Sequence, residues 1–392
     1  MARPKKETTQ SGCDEKVLPK DIKSLLTKVI NSKFKEPVAY ELGKEAPTNV
    51  SDWISTGSTL LDYISSNRRD GGVPAGKLTE IVGIESSGKS LICMQLAAST
   101  QKKGGFVVYI DTETSLNKDF AKRVGIDIEE LFYAVPQTME EVFETIEESV
   151  KKIRTVNSDV PITIIWDSVA GTPTKSEIEG TFNPQELIGI AARIISKAMR
   201  KLMETIAREK ITLVFTNQLK TAIGKMTWGD PMKATYGGKA IPYHASLRMR
   251  LKKVGEIKIA NEVVGVATEA KIIKSKVSPP FRVCKFPITF NNGVDNITSI
   301  FEALKERKII DQRGAWSLIN FKGEEFRFNK PIFRDKMKEN EFNEFIMSVI
   351  EENMIIRYDD DSEKKLAELD IDLDSAIEVE AVSEAISEIV ED

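Results

Sequence analysis

The stretch Gly83-Ile84-Glu85-Ser86-Ser87-Gly88-Lys89-Ser90 decides the fold of this chain, because it matches the phosphate-loop pattern G-x-x-x-x-G-K-[ST]. It follows an apolar run, 78–82, and precedes an apolar helical pattern. In such a loop the backbone N–H groups turn inward toward phosphate oxygens, and the dipole of the next helix favours an anion. The pattern therefore predicts a nucleotide site, and its predicted contacts are Gly83, Glu85, Ser86, Ser87, Gly88, Lys89, Ser90 and Leu91.

Lys89 and Ser90 have separate predicted roles in this phosphate loop. The Lys89 ammonium reaches the β- and γ-phosphates, and the Ser90 hydroxyl binds the Mg²⁺ that accompanies a triphosphate. An ordinary glycine-rich turn is the alternative interpretation. The apolar strand before the motif and the helix after it argue against that alternative.

Composition places the chain among ordinary globular proteins. Of its 392 residues 41% are hydrophobic and 30% are charged. Three widely spaced cysteines and one histidine, His244, argue against structural zinc and favour a reducing compartment. The start lacks an apolar signal core, and no apolar run approaches the ~20 residues of a membrane span. We therefore expect a cytoplasmic protein without a membrane partner.

Charge is distributed unevenly along the chain. Residues 358–392 contain 14 acidic and two basic residues, whereas the remainder contains 54 basic and 46 acidic ones. One interpretation is that the acidic tail only aids solubility. The other is that it competes with an anionic ligand for the basic body of the protein.

The predicted fold class is α/β, with a mostly parallel central sheet flanked by helices. Four near-continuous apolar runs, 78–82, 106–110, 162–166 and 211–215, alternate with helical patterns, which is typical of strands buried on both faces. Residues 244–290 alternate as antiparallel additions to the sheet. We expect a disordered segment at 1–18, a helix and short strand at 19–50, the core at 51–290, a small α/β domain at 291–357 and a disordered acidic tail at 358–392.

Polar residues follow three of the predicted strands, at the carboxyl ends where such sheets gather their ligands. Asp167 is predicted to hold the water shell of Mg²⁺, and Glu113 to orient or deprotonate the attacking water. Gln218 is predicted to sense the γ-phosphate and pass that state to the segment after it. For any one of these residues taken alone, a helix cap or a strand-end hydrogen bond is the simpler interpretation.

Two segments lack a clear helix or strand period. Residues 220–240 combine glycines with Lys220, Lys225, Trp228 and Tyr236, a composition typical of single-stranded nucleic-acid binding. Residues 177–185 form the second irregular stretch, which is equally consistent with an ordinary connecting loop.

With these residues together, the sequence resembles RecA-type homologous recombinases from about Trp53 to Trp316. Beside the phosphate loop, the motifs that carry the resemblance are 54–58 (ISTGS), 109–113 (YIDTE), 167–170 (DSVA), 177–180 (EIEG), 198–202 (AMRKL), 216–218 (TNQ) and 314–316 (GAW).

The resemblance implies an ATP- and Mg²⁺-dependent ATPase with a RecA-like core, which forms a helical homo-oligomer on single-stranded DNA and exchanges strands with double-stranded DNA. It implies that 19–50 is an oligomerisation arm, that Glu113 activates water, that Gln218 couples nucleotide to DNA, and that Lys274 and Lys276 reach the ATP of the neighbouring subunit. It also implies single-strand-binding and mediator proteins as partners. The resemblance also places both irregular segments, 177–185 and 220–240, on the DNA, and the implied contacts are Arg193, Lys220, Ile223, Gly224, Lys225, Met226, Trp228, Gly237 and Gly238.

The sequence departs from the family pattern at a few positions. Asn117 and Phe120 occupy adenine-side positions where bacterial members usually carry Asp and Tyr, and Pro242 replaces a usual Lys near the subunit interface. Three further functions share such an ATPase core: a ring-forming helicase motor, a small-molecule phosphotransferase, and an ATP-regulated scaffold that binds DNA without pairing it.

Overall fold

The computed structural model describes residues 20–44, 46–180, 189–220 and 234–357. Its helices are α1 (Lys20–Asn31), α2 (Thr59–Ser66), α3 (Lys89–Lys102), α4 (Lys118–Val124), α5 (Met139–Val156), α6 (Lys175–Glu179), α7 (Ile190–Arg208), α8 (Ala240–His244), α9 (Asn296–Glu306), α10 (Lys330–Lys336) and α11 (Asn340–Met354). Across these ranges, no helix combines the length and apolar character needed to cross a membrane.

The strands are β1 (Trp53–Ile54), β2 (Val73–Pro74), β3 (Leu78–Gly83), β4 (Phe106–Asp111), β5 (Leu131–Ala134), β6 (Ile162–Asp167), β7 (Thr212–Lys220), β8 (Ala234–Thr235), β9 (Leu247–Ile259), β10 (Glu262–Ser275), β11 (Val283–Thr289), β12 (Gly293–Val294), β13 (Asp311–Arg313), β14 (Trp316–Phe321) and β15 (Glu324–Phe328).

One large sheet organises the molecule, in the order β12-β11-β10-β9-β3-β7-β6-β4-β5, with β8 paired to the end of β7. The six strands from β9 to β5 run parallel, whereas β10, β11 and β12 add antiparallel ladders. Helices cover both faces, so the α/β class with a mostly parallel sheet is confirmed.

Two hydrophobic clusters lie on opposite faces of this sheet. Along β4, Val107 and Tyr109 belong to the cluster that includes α3, whereas Val108 and Ile110 belong to the cluster that includes α5 and α7. This alternation follows from the two-residue period of a strand, and it explains why the strand sequences read as continuous apolar runs. On the second face, Trp166 packs edge-on against Phe143 and Phe215, with centroids 5.4 and 5.0 Å away.

The C-terminal part, 291–357, packs on the first face. Strands β13, β14 and β15 form a separate antiparallel sheet, and their phenylalanines pack with those of α9, α10 and α11. The cluster continues into α2, so this part shares a core with the sheet. Gly314 of the GAW motif lies in the turn between β13 and β14, with φ of +66°, in the left-handed region that favours glycine.

Three local predictions are wrong. Strand β7 continues to Lys220, so Asn217 and Gln218 lie within a strand and not after it. Residues 177–179 belong to helix α6, because Thr174 and Glu177 form a reciprocal capping box at its start. The segment from 220 to 240 is not wholly irregular, since β8 pairs with the end of β7.

The N-terminal arm forms only part of what we predicted. Helix α1 is present, but residues 37–42 have no strand partner among the residues that the structure describes. Asn31 instead holds this run, because its Oδ1 accepts from the backbone N–H groups of Val38 and Ala39 at 2.9 Å. The predicted disordered segments at 1–18 and 358–392 lie outside the described residues.

Candidate functional site

The phosphate loop connects β3 to α3 and needs its two glycines. A Cβ on Gly83 would lie 2.7 Å from the Leu251 carbonyl oxygen, and one on Gly88 would lie 2.5 Å from Ile288 Cδ1. Gly88 also has φ of +96°, in the left-handed region that favours glycine. The loop therefore lies tightly against the neighbouring strands. Glu85 and Ser86 are exposed in its curl, while Ser87 and Leu91 are buried beneath it.

The Lys89 side chain folds back into this curl. Its Nζ donates to the carbonyl oxygens of Gly83 and Ile84 at 3.2 and 2.8 Å. Burial lowers the pKa of Lys89, and the carboxylates of Asp167 and Glu113 oppose that shift. The ammonium is therefore placed where the loop amides would hold a phosphate group.

Asp167 ends β6 next to the phosphate loop and is only 4% exposed. Its carboxylate accepts from Thr216 Oγ1 at 2.5 Å and Tyr109 OH at 3.1 Å, and it also bonds to the Ser90 hydroxyl. Burial raises the pKa of Asp167, whereas these hydrogen bonds oppose the rise. A hydroxyl and a carboxylate in contact are hard oxygen donors, so the pair fits a Mg²⁺ ion that keeps most of its waters.

Glu113 lies in the turn after β4, and its position is fixed from two sides. Ser168 Oγ donates to Glu113 Oε1, and a Cβ on Gly171 would lie 2.8 Å from Glu113 Cγ. The neighbouring Asp111 organises this turn by accepting from the backbone N–H groups of Glu113 at 3.1 Å and Ser115 at 2.8 Å. Asp111, Ser168 and Gly171 were not among the predicted site residues, and no local sequence signal links Ser168 or Gly171 to Glu113.

Gln218 lies beside the start of the phosphate loop, because β7 pairs with β3 in a register that sets Gln218 opposite Gly83. The same kind of parallel register sets Asp111 opposite Asp167. The predicted residues Lys89, Ser90, Glu113, Asp167 and Gln218 therefore gather at one edge of the sheet. This edge has the phosphate-binding loop, the metal-ligating oxygens and the carboxylate that an ATPase requires.

The predicted adenine-side residues lie on α4. Asn117 caps this helix, since its Oδ1 accepts from the Phe120 backbone N–H at 2.9 Å. The Phe120 ring is half-buried, and the Arg123 guanidinium lies 5.6 Å from its centroid. Asn117 thus has a structural task of its own, as the simpler interpretation of a polar residue in a turn suggests.

Lys274 and Lys276 lie away from their own phosphate loop. Lys274 is opposite Arg248 on β9, which in turn is opposite Glu80, three residues before Gly83 on β3. At ~3.3 Å per residue and ~4.8 Å per strand, Lys274 is roughly 14 Å from the start of the loop. Its Nζ donates instead to the carbonyl oxygens of Pro242 at 2.6 Å and Tyr243 at 2.9 Å.

The predicted DNA contacts are only partly described. Ile223, Gly224, Lys225, Met226 and Trp228 lie outside the described residues. Lys220 ends β7, and Arg193 is exposed on the first turn of α7. Gly237 and Gly238 pack on the same helix, where a Cβ would lie 2.5 Å from Ile195 Cδ1 and 3.1 Å from Ala192 Cβ, respectively.

The chain is similar to known proteins. A model of the RecA N-terminal domain matches residues 20–295. Protein RecA of Helicobacter hepaticus is 37% identical over 298 residues, which cover 76% of this chain and 83% of the relative. Protein RecA of Laribacter hongkongensis is 37% identical over 287 residues, 73% of this chain and 77% of the relative. Protein RecA of Legionella pneumophila (strain Corby) is 34% identical over 311 residues, 79% of this chain and 85% of the relative. The chain therefore belongs to the RecA family of ATP- and Mg²⁺-dependent homologous recombinases, which form filaments on DNA.

Proposed function

We propose that this recombinase hydrolyses ATP at the carboxyl edge of its sheet and uses Gln218 to report the nucleotide state to its DNA-binding loops. The observation that carries the proposal is the convergence of Lys89, Glu113, Asp167 and Gln218 on one edge, from four neighbouring strands or the turns that follow them. The helicase and scaffold alternatives are not favoured, because the relatives are recombinases.

Each residue at this edge has a proposed task. Lys89 binds the β- and γ-phosphates, while Ser90 and Asp167 hold Mg²⁺, which when bound neutralises charge on the phosphate oxygens. Glu113 orients the attacking water, since Ser168 and Gly171 fix its carboxylate beside the loop. Gly83, Glu85, Ser86, Ser87, Gly88 and Leu91 complete the phosphate-binding contacts, and Asn117 and Phe120 bind the base.

Lys274 and Lys276 are proposed to act on the ATP of a neighbouring subunit. The strand register supports this proposal, because it places the Lys274 backbone roughly 14 Å from the start of its own phosphate loop. It belongs to a cluster of cations, because Lys276 and Arg248 both lower its pKa after burial has done so. Bringing such a cluster to the phosphates of another protomer would complete a site that no single chain contains.

Residues 19–50 are proposed to be the arm that connects one subunit to the next. The apolar stripe of α1 is exposed at Ile22, Leu25, Leu26 and Val29. The edge strand β5 exposes Phe132 and Tyr133, and beside it a cavity of about 460 Å³ is lined by Val135 and three glutamates of α5. An exposed edge strand readily accepts another chain, and the lysines of the arm complement those glutamates.

The remaining proposals concern DNA, organisation and location. Arg193, Lys220, Ile223, Gly224, Lys225, Met226, Trp228, Gly237 and Gly238 are proposed DNA contacts. We further propose the division into a core at 51–290 and a small domain at 291–357, which agrees with the end of the family match at residue 295. A cytoplasmic location and interaction with single-strand-binding and mediator proteins are proposed as well.

A strand-exchange assay tests the proposed function. The parental protein with ATP and Mg²⁺ should yield joint molecules from single-stranded DNA and a homologous duplex, and none from a heterologous duplex. Unwinding of a forked duplex without homology would support the helicase motor, and DNA binding without joint molecules would support the scaffold.

A further inference from the structure

A buried carboxylate, Glu80, lies in the middle of β3, between Thr79 and Ile81. Its side chain is 0% exposed. Glu80 Oε2 accepts from Arg248 Nε on β9 at 2.5 Å, and Oε1 accepts from Asn217 Nδ2 on β7 at 3.0 Å. A charge in such a position is costly unless it is paired and hydrogen-bonded, and these two partners supply both.

Asn217 extends this network to the DNA-binding segments. Its Nδ2 also donates to the Tyr236 carbonyl oxygen at 3.0 Å, and its Oδ1 accepts from the Gln218 backbone N–H at 2.9 Å. The Tyr236 hydroxyl in turn bonds to Glu177 of α6, which together with burial raises the pKa of Tyr236. The network therefore contacts the described ends of both segments that we assign to DNA.

Arg248 extends the network to a cluster of cations that also contains Lys274 and Lys276, which we call the cationic end. It lies opposite Lys274 in the ladder between β9 and β10, and its charge contributes to the lowered pKa of Lys274. The carboxylate of Glu80 neutralises Arg248 and acts on Lys274 in the opposite sense. One buried carboxylate thus touches elements that lead to the γ-phosphate sensor, to the DNA segments and to the lysines proposed to act in trans.

We propose that Glu80 is a positioning residue that couples ATP to DNA in this recombinase. Glu80 holds Asn217 and Arg248 in one arrangement, so that a shift of Gln218 at the nucleotide moves the base of the DNA segments with it. Groups joined by hydrogen bonds in a site of low exposure transmit such a shift, because breaking one of these bonds leaves a polar group unsatisfied. This inference rests on the proposed function of Gln218 as the nucleotide sensor.

The measured quantity is the ratio of single-stranded DNA affinities with a non-hydrolysable ATP analogue and with ADP, obtained by fluorescence anisotropy at fixed salt. This ratio reports coupling directly and does not move when a variant is merely less stable. The test variant is Glu80→Gln, which retains the size of the side chain and removes its charge.

For Glu80→Gln we expect the ratio to fall at least about fivefold, the lower end of usual coupling factors. Nucleotide affinity and the slow rate of hydrolysis without DNA should stay within about twofold of the parental values, because Glu80 is not one of the residues proposed to contact the nucleotide. Thr79→Val is the matched control. Thr79 is the adjacent buried residue of β3, its hydroxyl has no partner among the described residues, and valine has the same shape, so the ratio should be unchanged.

An unchanged ratio in a folded Glu80→Gln protein overturns the proposal and leaves the ion pair as a structural feature. Equal losses of hydrolysis with and without DNA, together with a lower melting temperature, would do the same. If Glu80→Gln does not fold, Asn217→Ala is the variant that tests the proposal. It keeps the ion pair between Glu80 and Arg248 and removes the hydrogen bonds to Tyr236 and Glu80. A parental affinity ratio in that variant would contradict the proposed coupling. If the parental protein binds DNA with the same affinity in the presence of the ATP analogue and of ADP, the proposed function itself is contradicted.

Discussion

The edge of the sheet that holds Lys89, Glu113 and Asp167, the ATP edge, differs from the cationic end in how far its charges are compensated within one chain. At the ATP edge, Lys89 lies near the carboxylates of Glu113 and Asp167, which oppose the effect of burial on its pKa. At the other end, burial and the charges of Lys276, Arg200 and Lys274 all lower the pKa of His244. Glu80, the carboxylate that acts on Lys274, is already paired with Arg248.

This difference indicates that charges are compensated within one chain more fully at the ATP edge than at the cationic end. At the ATP edge, carboxylates of the same chain lie near the ammonium of Lys89. The cationic end concentrates like charges, which is unfavourable unless an anion from outside arrives to offset them. Phosphates of a neighbouring subunit would be such an anion, and the predictions below test that contrast.

The largest expected effect is at the ATP edge. Lys89→Ala should abolish hydrolysis, because the transferred phosphoryl group loses its main cationic partner. Glu113→Gln should retain ATP and DNA binding but stall turnover, since it removes only the group that orients the water. Steady-state ATPase rates and equilibrium nucleotide binding separate the two effects, and a parental rate for Glu113→Gln on single-stranded DNA would show that another residue activates the water.

The second prediction tests whether Lys274 and Lys276 act on a neighbouring subunit, by mixing two inactive variants. Lys89→Ala subunits have a dead pocket but intact lysines, whereas Lys274→Ala/Lys276→Ala subunits have an intact pocket and no lysines to donate. Charge supplied in trans can be worth ~10³-fold or more in phosphoryl transfer, so the mixture should hydrolyse ATP faster than either variant alone. Each variant alone on the same DNA is the control, and co-filaments without rescue would remove the trans role.

The strand ends and the phosphate loop that form the proposed ATP site could be predicted from the sequence because they are local features. Asp167, Glu113 and Gln218 each follow or end an apolar run, and parallel strands bring such ends to one edge. The supports of those residues were not predictable in the same way. The contact between Gly171 and Glu113 joins residues 58 positions apart through a turn that no periodicity marks.

The relation between Lys274 and the ATP site could not be derived from the residues, because it depends on register. Alternating residues predicted the antiparallel strands, but not that β10 places Lys274 opposite Arg248 and thus far from its own phosphate loop. Glu80 was missed for a similar reason. A single carboxylate inside an apolar run gives no sign of partners on β7 and β9, 137 and 168 residues away.

The third prediction sharpens the view that Glu113 is held rigidly at the ATP edge. Gly171→Ala would place a methyl group 2.8 Å from Glu113 Cγ and displace its carboxylate. Since misplacement by about 1 Å can cost ~10²-fold, we expect kcat to fall about 10- to 100-fold while nucleotide affinity stays unchanged. Gly255→Ala is a control for the added methyl group, because a Cβ there would meet only Ala267 Cβ, at 3.9 Å. A parental kcat for Gly171→Ala would mean that Glu113 is free to move aside.

The fourth prediction concerns Trp228, which lies outside the described residues but belongs to the segment that β7 and β8 bracket. Trp228→Ala should weaken single-stranded DNA binding and DNA-stimulated hydrolysis, because a stacking aromatic contributes ~1–3 kcal/mol per base. ATP binding without DNA should be parental. Unchanged DNA affinity, or loss of ATP binding without DNA, would indicate a tryptophan that packs within its own segment.

The smallest effect is expected from the acidic tail, and it tests whether the basic body has an internal anion that competes with DNA. Ending the chain at Arg357 removes a segment of net charge −12 from a body of net charge +8. Affinity for duplex DNA should then rise a few-fold at low salt, and the gain should shrink as salt rises because screened charges compete less. The control is a full-length chain whose tail carries Asn and Gln at its 14 acidic positions. It should bind duplex as tightly as the shortened protein if charge, and not length, is the cause. Equal duplex affinity of the parental and shortened chains at low salt would mean that the tail does not compete with DNA. The tail would then be a solubility device, and the proposed role of the cationic end at the subunit interface would not depend on it.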